Sequence, residues 1–206
     1  MQEVVTRSVD PDGGGVQDMT LFCFDSYGLF TTTVEAKVTP TGNGAGLTGN
    51  FEAEVPENTR TVHFLANQNM SEFKEDKFRN KSEAEVMALL EGSSGRMIYW
   101  ARFTCDPDND SKIDAQMADK GNTIKMIRNH AQVSIDNPIN GWIEVTGFVA
   151  YNTNAFGTVA PYHPEKGFDF EWPGEDDPFV TLPQNDARMS DITDVTTATK
   201  QYIFES

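Results

Sequence analysis

Histidine, cysteine and positive charge are all scarce in this chain. It has 3 histidines and 2 cysteines in 206 residues, and 16 basic against 32 acidic residues, for a net charge of −16. Two cysteines are too few for a zinc site built from thiolates. Cys23 and Cys105 lie far apart in separate expected strands or strand ends, as two buried thiols or as a disulfide, and neither reading implies chemistry. The negative charge repels nucleic-acid phosphates and anionic lipid surfaces, which excludes nucleic acid as a partner. No run approaches the roughly 18 apolar residues of a membrane span. The opening Met1-Gln2-Glu3 lacks the basic and apolar regions of a signal peptide. The chain therefore reads as soluble, which does not by itself assign it to the cytoplasm.

What is present is alternation. From Ile124 to Pro161 the sequence reads as a long β-hairpin: Ala131, Val133 and Ile135 alternate with Gln132, Ser134 and Asp136, the period-2 pattern of a half-buried strand. In the second arm Ile143, Val145 and Val149 share one face, and Trp142, Glu144, Thr146 and Phe148 the other. Between the arms, Asn137-Pro138-Ile139-Asn140-Gly141 supplies a proline that cannot join a ladder and an Asn-Gly pair that tolerates positive φ. Arms of about a dozen residues would span roughly 35 to 40 Å, which suits a scaffold or fibre better than a loop-built active site. A content of 38% hydrophobic and 11% aromatic residues is ample for a buried core.

Other segments extend the pattern. Residues 1–16, with Pro11-Asp12-Gly13-Gly14-Gly15, read as a flexible polar leader. Met19–Asp25 is a dense apolar strand, Ser26-Tyr27-Gly28 a turn, and Leu29–Val38 a second strand. Phe51–Val55, Thr61–Leu65 and Met97–Thr104 are further strands, with Val62 and Phe64 on one face. Ser82 and Glu85 form a capping-box pair that opens a helix to Glu91, with Val86, Leu89 and Leu90 as its apolar stripe and Gly92 as its stop. A Phe73–Lys81 segment and a stretch around Ala115–Lys120 are candidate short helices. The expected fold is mostly β: a sandwich over 17–161 with one or two short helices. Residues 162–206, with Pro164, Pro173, Pro178 and Pro183, form an irregular acidic segment and the start of a second, incomplete β domain ending in Gln201–Phe204.

The motifs that could carry chemistry are weak. Gly44-Ala45-Gly46-Leu47-Thr48-Gly49 matches a dinucleotide-binding pattern, but Pro40 precedes it and a strand follows, so no helix N-terminus meets the phosphate. Asp106, Asp108, Asp110 and Asp114 have the alternating-oxygen spacing of a calcium loop but lack the glycine at its sixth position and the glutamate at its twelfth, where Met117 stands. A solvated acidic loop is the simpler reading. His63, His130 and His163 show no ligand spacing, and no serine or cysteine carries a nucleophile signature, so no catalysis and no cofactor are expected. Arg7, followed by Ser8 in the leader, is an accessible site for a trypsin-like protease. Trp142, Trp172, Tyr162 and Tyr99 are the aromatics on which an alternative reading, a surface carbohydrate-binding module, would rest.

Several phrases together resemble the fimbrillin family, the type V pilus subunits and associated anchor or tip proteins of Bacteroides-like anaerobes. They are LFCFDSYGLF, VPENTRTVHFLANQ from Val55 to Gln68, IRNHAQVSI with GFVAYNTNAFGTVAP, and the closing QYIFES. The resemblance implies a secreted lipoprotein precursor with β-sandwich domains of transthyretin-like topology, located at the bacterial surface or in the fimbrium. It also implies assembly by strand exchange, in which a protease removes an N-terminal strand, here at Arg7, and a neighbouring subunit's strand fills the groove. The implied partners are other fimbrial subunits and a host or bacterial surface ligand. A membrane would be met only through a lipid anchor, and this chain carries no lipid-accepting cysteine near its start.

Overall fold

The computed structural model describes residues 15–40, 49–68, 70–71, 73–93, 97–134, 156–163, 166–168 and 200–204. In chain order the strands and helices are β1 (Met19–Phe24), β2 (Phe30–Pro40), β3 (Gly49–Glu52), β4 (Thr61–Ala66), α1 (Glu83–Ala88), β5 (Glu91–Ser93), β6 (Tyr99–Thr104), α2 (Ile113–Asp119), β7 (Ile127–Arg128), β8 (His130–Ser134), β9 (Phe156–Thr158) and β10 (Lys200–Phe204), with a 3-10 turn at Glu75–Lys77 before α1. The expected mostly-β architecture is the one observed. Six strands form one antiparallel sheet in the order β3-β2-β1-β4-β6-β7, and β8–β10 and β5–β9 form two small ribbons.

β1 and β4 lie at the centre of the sheet and are buried along their whole length. This is why MTLFCF is apolar at every position but Thr20 rather than alternating: a strand covered on both faces has no wet side. The β1–β2 hairpin turns at Gly28, whose φ of +71° is the left-handed conformation that glycine adopts without strain. Asp25 closes the turn, its Oδ1 accepting from the backbone N–H of Tyr27 at 2.8 Å and of Leu29 at 3.1 Å.

Alternation then sorts side chains between two clusters. Phe22, Phe24, Leu65 and Trp100 face a layer built by α1 and the segments around β5 and β9, with Phe78, Val86, Met87, Leu90, Val159, Ala160 and Phe168 in the same cluster. Met19, Leu21, Cys23, Val62, Phe64 and Ala101 face the other way, where Ile113 of α2 joins them and Phe51, Val55 and Met117 pack partly buried. Each fully buried side chain of this size contributes about 1.5 to 3 kcal/mol, so the two clusters hold the sheet from both sides.

Several expectations need correction. The helix opened by Ser82 ends at Leu89, and Gly92 does not stop it but lies in β5, opposite Gly157. Its buried residues are Val86 and Met87, while Leu89 at its end is 41% exposed and Leu90 just beyond it is buried. A helix of barely two turns leaves the regular spacing as soon as the chain turns into the next strand, and Leu90 is drawn into the core at that exit. Near the leader's end, the buried Asn67 amide donates to Gly15 O at 2.8 Å and its Oδ1 accepts from Gln17 N–H at 2.7 Å, so residues 15–17 are tied to the body. β8 falls on the first arm of the expected central hairpin and, among the described residues, pairs with β10. The second arm lies outside the described residues.

Candidate functional site

The most concentrated polar chemistry among the described residues sits on the α1-facing side of the sheet. Strand register sets His63 of β4 opposite Arg102 of β6, and Phe22 opposite His63 on the other flank. Ser82 starts α1 through a reciprocal cap: its N–H donates to Glu85 Oε2 at 2.8 Å, and Glu85 N–H donates to Ser82 Oγ at 3.5 Å. This cap brings Glu83, the first helical residue, over the strand pair. Glu83 Oε2 accepts from His63 Nε2–H at 2.9 Å and from Arg102 Nε–H at 2.8 Å, and Oε1 accepts from the Arg102 guanidinium at 3.3 Å. On the far side of the ring, Trp100 Nε1–H donates to His63 Nδ1 at 3.0 Å. An indole only donates, so Nδ1 is the bare nitrogen and His63 is the neutral Nε2–H tautomer.

Burial governs the electrostatics of this cluster. His63 is 0% exposed, and desolvation pushes its pKa below the ordinary 6.5 even though the Glu83 carboxylate pulls it up. Burial alone would raise Glu83, but the hydrogen bonds from His63 and Arg102 outweigh it and hold the carboxyl at about 2. Phe168 and Phe24 close edge-on against the imidazole at 4.8 and 5.4 Å. With both ring nitrogens engaged and the ring sealed by aromatics, the cluster is built as a latch between α1, β4 and β6 rather than as a base open to substrate.

The outer edge of β2 is also polar. Phe30 N–H donates to Lys81 O at 2.9 Å. Glu75 Oε1 accepts from Thr33 N–H at 2.9 Å, Thr33 Oγ1 at 2.9 Å and Thr32 Oγ1 at 2.8 Å. These bonds, the Thr33 amide foremost, lower the Glu75 pKa. Farther along, Lys37–Pro40 pair with β3. At the opposite end of the sheet, β7 pairs with Tyr99 and Trp100 of β6.

The structure does not gather the four aspartates of the acidic loop. Asp106 Oδ1 accepts from Asp108 N–H at 2.9 Å and Asp114 Oδ1 from Ala115 N–H at 2.8 Å, each used in a local turn. The loop is organised by the buried Gln116, whose Oε1 accepts from Asp106 N–H at 2.7 Å and whose amide donates to Asn109 O and Ser111 O. Among the described residues no group of three His, Cys, Asp or Glu side chains could hold a metal ion. Cys23 and Cys105 are both buried free thiols, and burial raises Cys23 to about 11. His130 is held near 4, by burial and then by Arg128, and His163 Nδ1 accepts from Lys166 N–H. Tyr99 and Tyr162 are half-buried, Tyr162 against the Phe168 ring at 5.2 Å. Arg7, Ser8, Trp142, Trp172 and the glycines from Gly44 to Gly46 lie outside the described residues.

Sequence reasoning missed the latch and the Glu75 contact. A signal for the latch was present: His63 and Arg102 are polar residues at core-facing positions of two strands, and such positions require partners. Nothing in the sequence identified Glu83 as that partner.

The sequence matches no protein-family model and no curated protein. Among solved structures, the chain is similar to a fimbrial assembly protein from Parabacteroides distasonis, with 15% identity and a TM-score of 0.47 over 93% of this chain and 70% of that one. A match so distant does not assign the neighbour's role to this chain.

Proposed function

We propose that the chain is a structural, adhesive and non-catalytic component of bacterial surface fimbriae, a pilus subunit or an accessory anchor or tip protein. It joins other fimbrial subunits at the cell surface by strand addition. The observation that carries this reading is the six-stranded antiparallel sheet with β1 and β4 at its centre, a backbone ladder of the kind that strand addition extends. Among the described residues, Lys81, Glu75 and β3 meet β2 at one end of this sheet, and β7 pairs with β6 at the other. A neighbour's extended segment laid beside such a sheet would continue its ladder through backbone hydrogen bonds. The phrases that resemble fimbrillins support the same reading, since LFCFDSYGLF folds as the β1–β2 hairpin and TVHFLA as β4, the centre of the sheet.

Light scattering coupled to size exclusion, before and after trypsin cleavage of the leader at Arg7, tests this. Cleavage-dependent oligomers that carry the leader or another subunit's strand as an added β-strand are expected. A strict monomer in both states, at concentrations where the protein remains folded, would defeat the proposal.

A further inference from the structure

One side chain takes hold of the chain just before β1 begins. Asn67, the residue after β4, is 5% exposed and has a φ of +64°, a left-handed conformation that asparagine tolerates better than most side chains. Its backbone N–H donates to Asp18 O at 3.0 Å, one step beyond the strand pair of Met19 with Ala66. The side chain continues the pairing: Oδ1 accepts from Gln17 N–H at 2.7 Å, and Nδ2–H donates to Gly15 O at 2.8 Å. A carboxamide carries the same donor and acceptor as a peptide group, so it brackets Val16 as the backbone of a neighbouring strand would. Nδ2–H also donates to Met97 O at 3.1 Å, in the segment that leads into β6. Gly15 is buried with a φ of +57°, so the chain turns at the residue where this hold begins.

We propose that Asn67 is the stop for proteolytic trimming of the N terminus: residues up to Gly14 are removable, and trimming ends at Gly15, where the Asn67 amide takes hold. A protease draws several residues into its cleft in extended form, so it cuts a native chain only where backbone hydrogen bonds are open or open transiently. Three backbone groups of the stretch before β1, namely Gly15 O, Gln17 N–H and Asp18 O, are bonded to Asn67. Val16 adds one partly buried apolar side chain packed against the second cluster, whereas Gln17 and Asp18 are exposed. The hydrogen bonds to Asn67 therefore carry more of the hold than side-chain burial does. Just upstream, Pro11-Asp12-Gly13-Gly14 offers no large apolar side chain to seat. Arg7 lies eight residues before Gly15, so cleavage there leaves this clamp whole and keeps β1 in the centre of the sheet. The inference concerns one chain and no partner, and it stands or falls independently of the fimbrial reading.

The test is limited digestion of the full chain with proteinase K, the first residue of the product that carries β1 being read by mass spectrometry. Amide exchange at Gln17 is read by NMR on the undigested protein. Wild type is compared with Asn67→Gly, which keeps the left-handed backbone and deletes the amide, and with Val16→Ser, which weakens the packing and keeps the amide. Circular dichroism confirms that each variant is folded. The wild-type product should begin at or before Gly15 and stay there through prolonged digestion, with Gln17 N–H protected. In Asn67→Gly the product should begin beyond Gly15, and Gln17 N–H should exchange roughly tenfold to a hundredfold faster, the size of the hydrogen bonds removed. Val16→Ser should shift both readings less than Asn67→Gly does. A folded wild type trimmed past Gly15, or one with unprotected Gln17, would show that no stop exists there, whether or not Asn67→Gly folds. Asn67→Gly trimmed only as far as wild type would show that Asn67 is not the stop, and Val16→Ser trimmed as far as Asn67→Gly would assign it to packing. Each of these results overturns the inference.

Discussion

Replacing Glu83 with glutamine removes the one charge on which the latch depends while keeping its shape. Glutamine can still accept from His63, but it takes the Glu83 charge away from the Arg102 guanidinium, which is 14% exposed. Breaking a buried ion pair from one side costs about 3 to 5 kcal/mol. Glu83 is 18% exposed and water relieves part of that cost, so a loss of about 2 to 4 kcal/mol is expected. Urea unfolding near neutral pH, followed by circular dichroism, should show a lower midpoint with an unchanged slope. A loss below about 0.5 kcal/mol, the size of an ordinary surface substitution, would refute the latch.

The same cluster makes wild type acid-labile, and both groups act in one direction. His63 is depressed, so below its ordinary 6.5 the unfolded chain takes up a proton that the folded chain refuses, and stability begins to fall there. Glu83 is also depressed, from 4.5 to about 2, so its contribution is present above 4.5 and is lost as pH falls toward 2. That depression corresponds to roughly 3 kcal/mol, which partial exposure reduces to about 2. In Glu83→Gln the second loss is absent, so the stability curves of the two proteins should converge below about pH 4. A gap that stayed constant from neutral pH to about pH 3 would contradict the assignment of the charge to Glu83.

Two further outcomes test the surroundings. Cys23 and Cys105 should fail to react with a thiol reagent in the native protein and react fully in denaturant, because both are buried and the Cys23 thiol is held at about 11; fast native labelling of either would show that the second cluster is open. Gln116→Leu strips the loop after β6 of its partners at Asp106, Asn109 and Ser111. It should cost about 1 to 2 kcal/mol and speed proteolysis between β6 and α2, since water restores part of the lost bonding; an unchanged melting temperature would show that Gln116 does not organise the loop.

The elements most legible in sequence were those whose signals are local. The Ser82–Glu85 cap marked the start of α1, and the cap bonds are present. The dense apolar run MTLFCFD marked β1, Val62 and Phe64 on one face of TVHFL marked β4, and Ser26-Tyr27-Gly28 marked the turn between β1 and β2, where Gly28 has positive φ. Acidic spacing alone was a poor guide at Asp106–Asp114, because aspartates in turns bond their own backbone first and a buried glutamine several residues on decides the loop's shape.

By itself, the order of residues determined which segments at the sheet's centre are extended, where β1 turns into β2, and which face of a strand is apolar. These follow from steric and solvation preferences acting within a few residues. The tertiary structure alone decided that His63 meets Glu83 twenty residues away, that Glu75 sits on the edge of β2, and that β10 pairs with β8. Alternation specifies a face but not the neighbour across it. That neighbour is selected only when the whole sheet closes and each buried polar group must find its hydrogen bond.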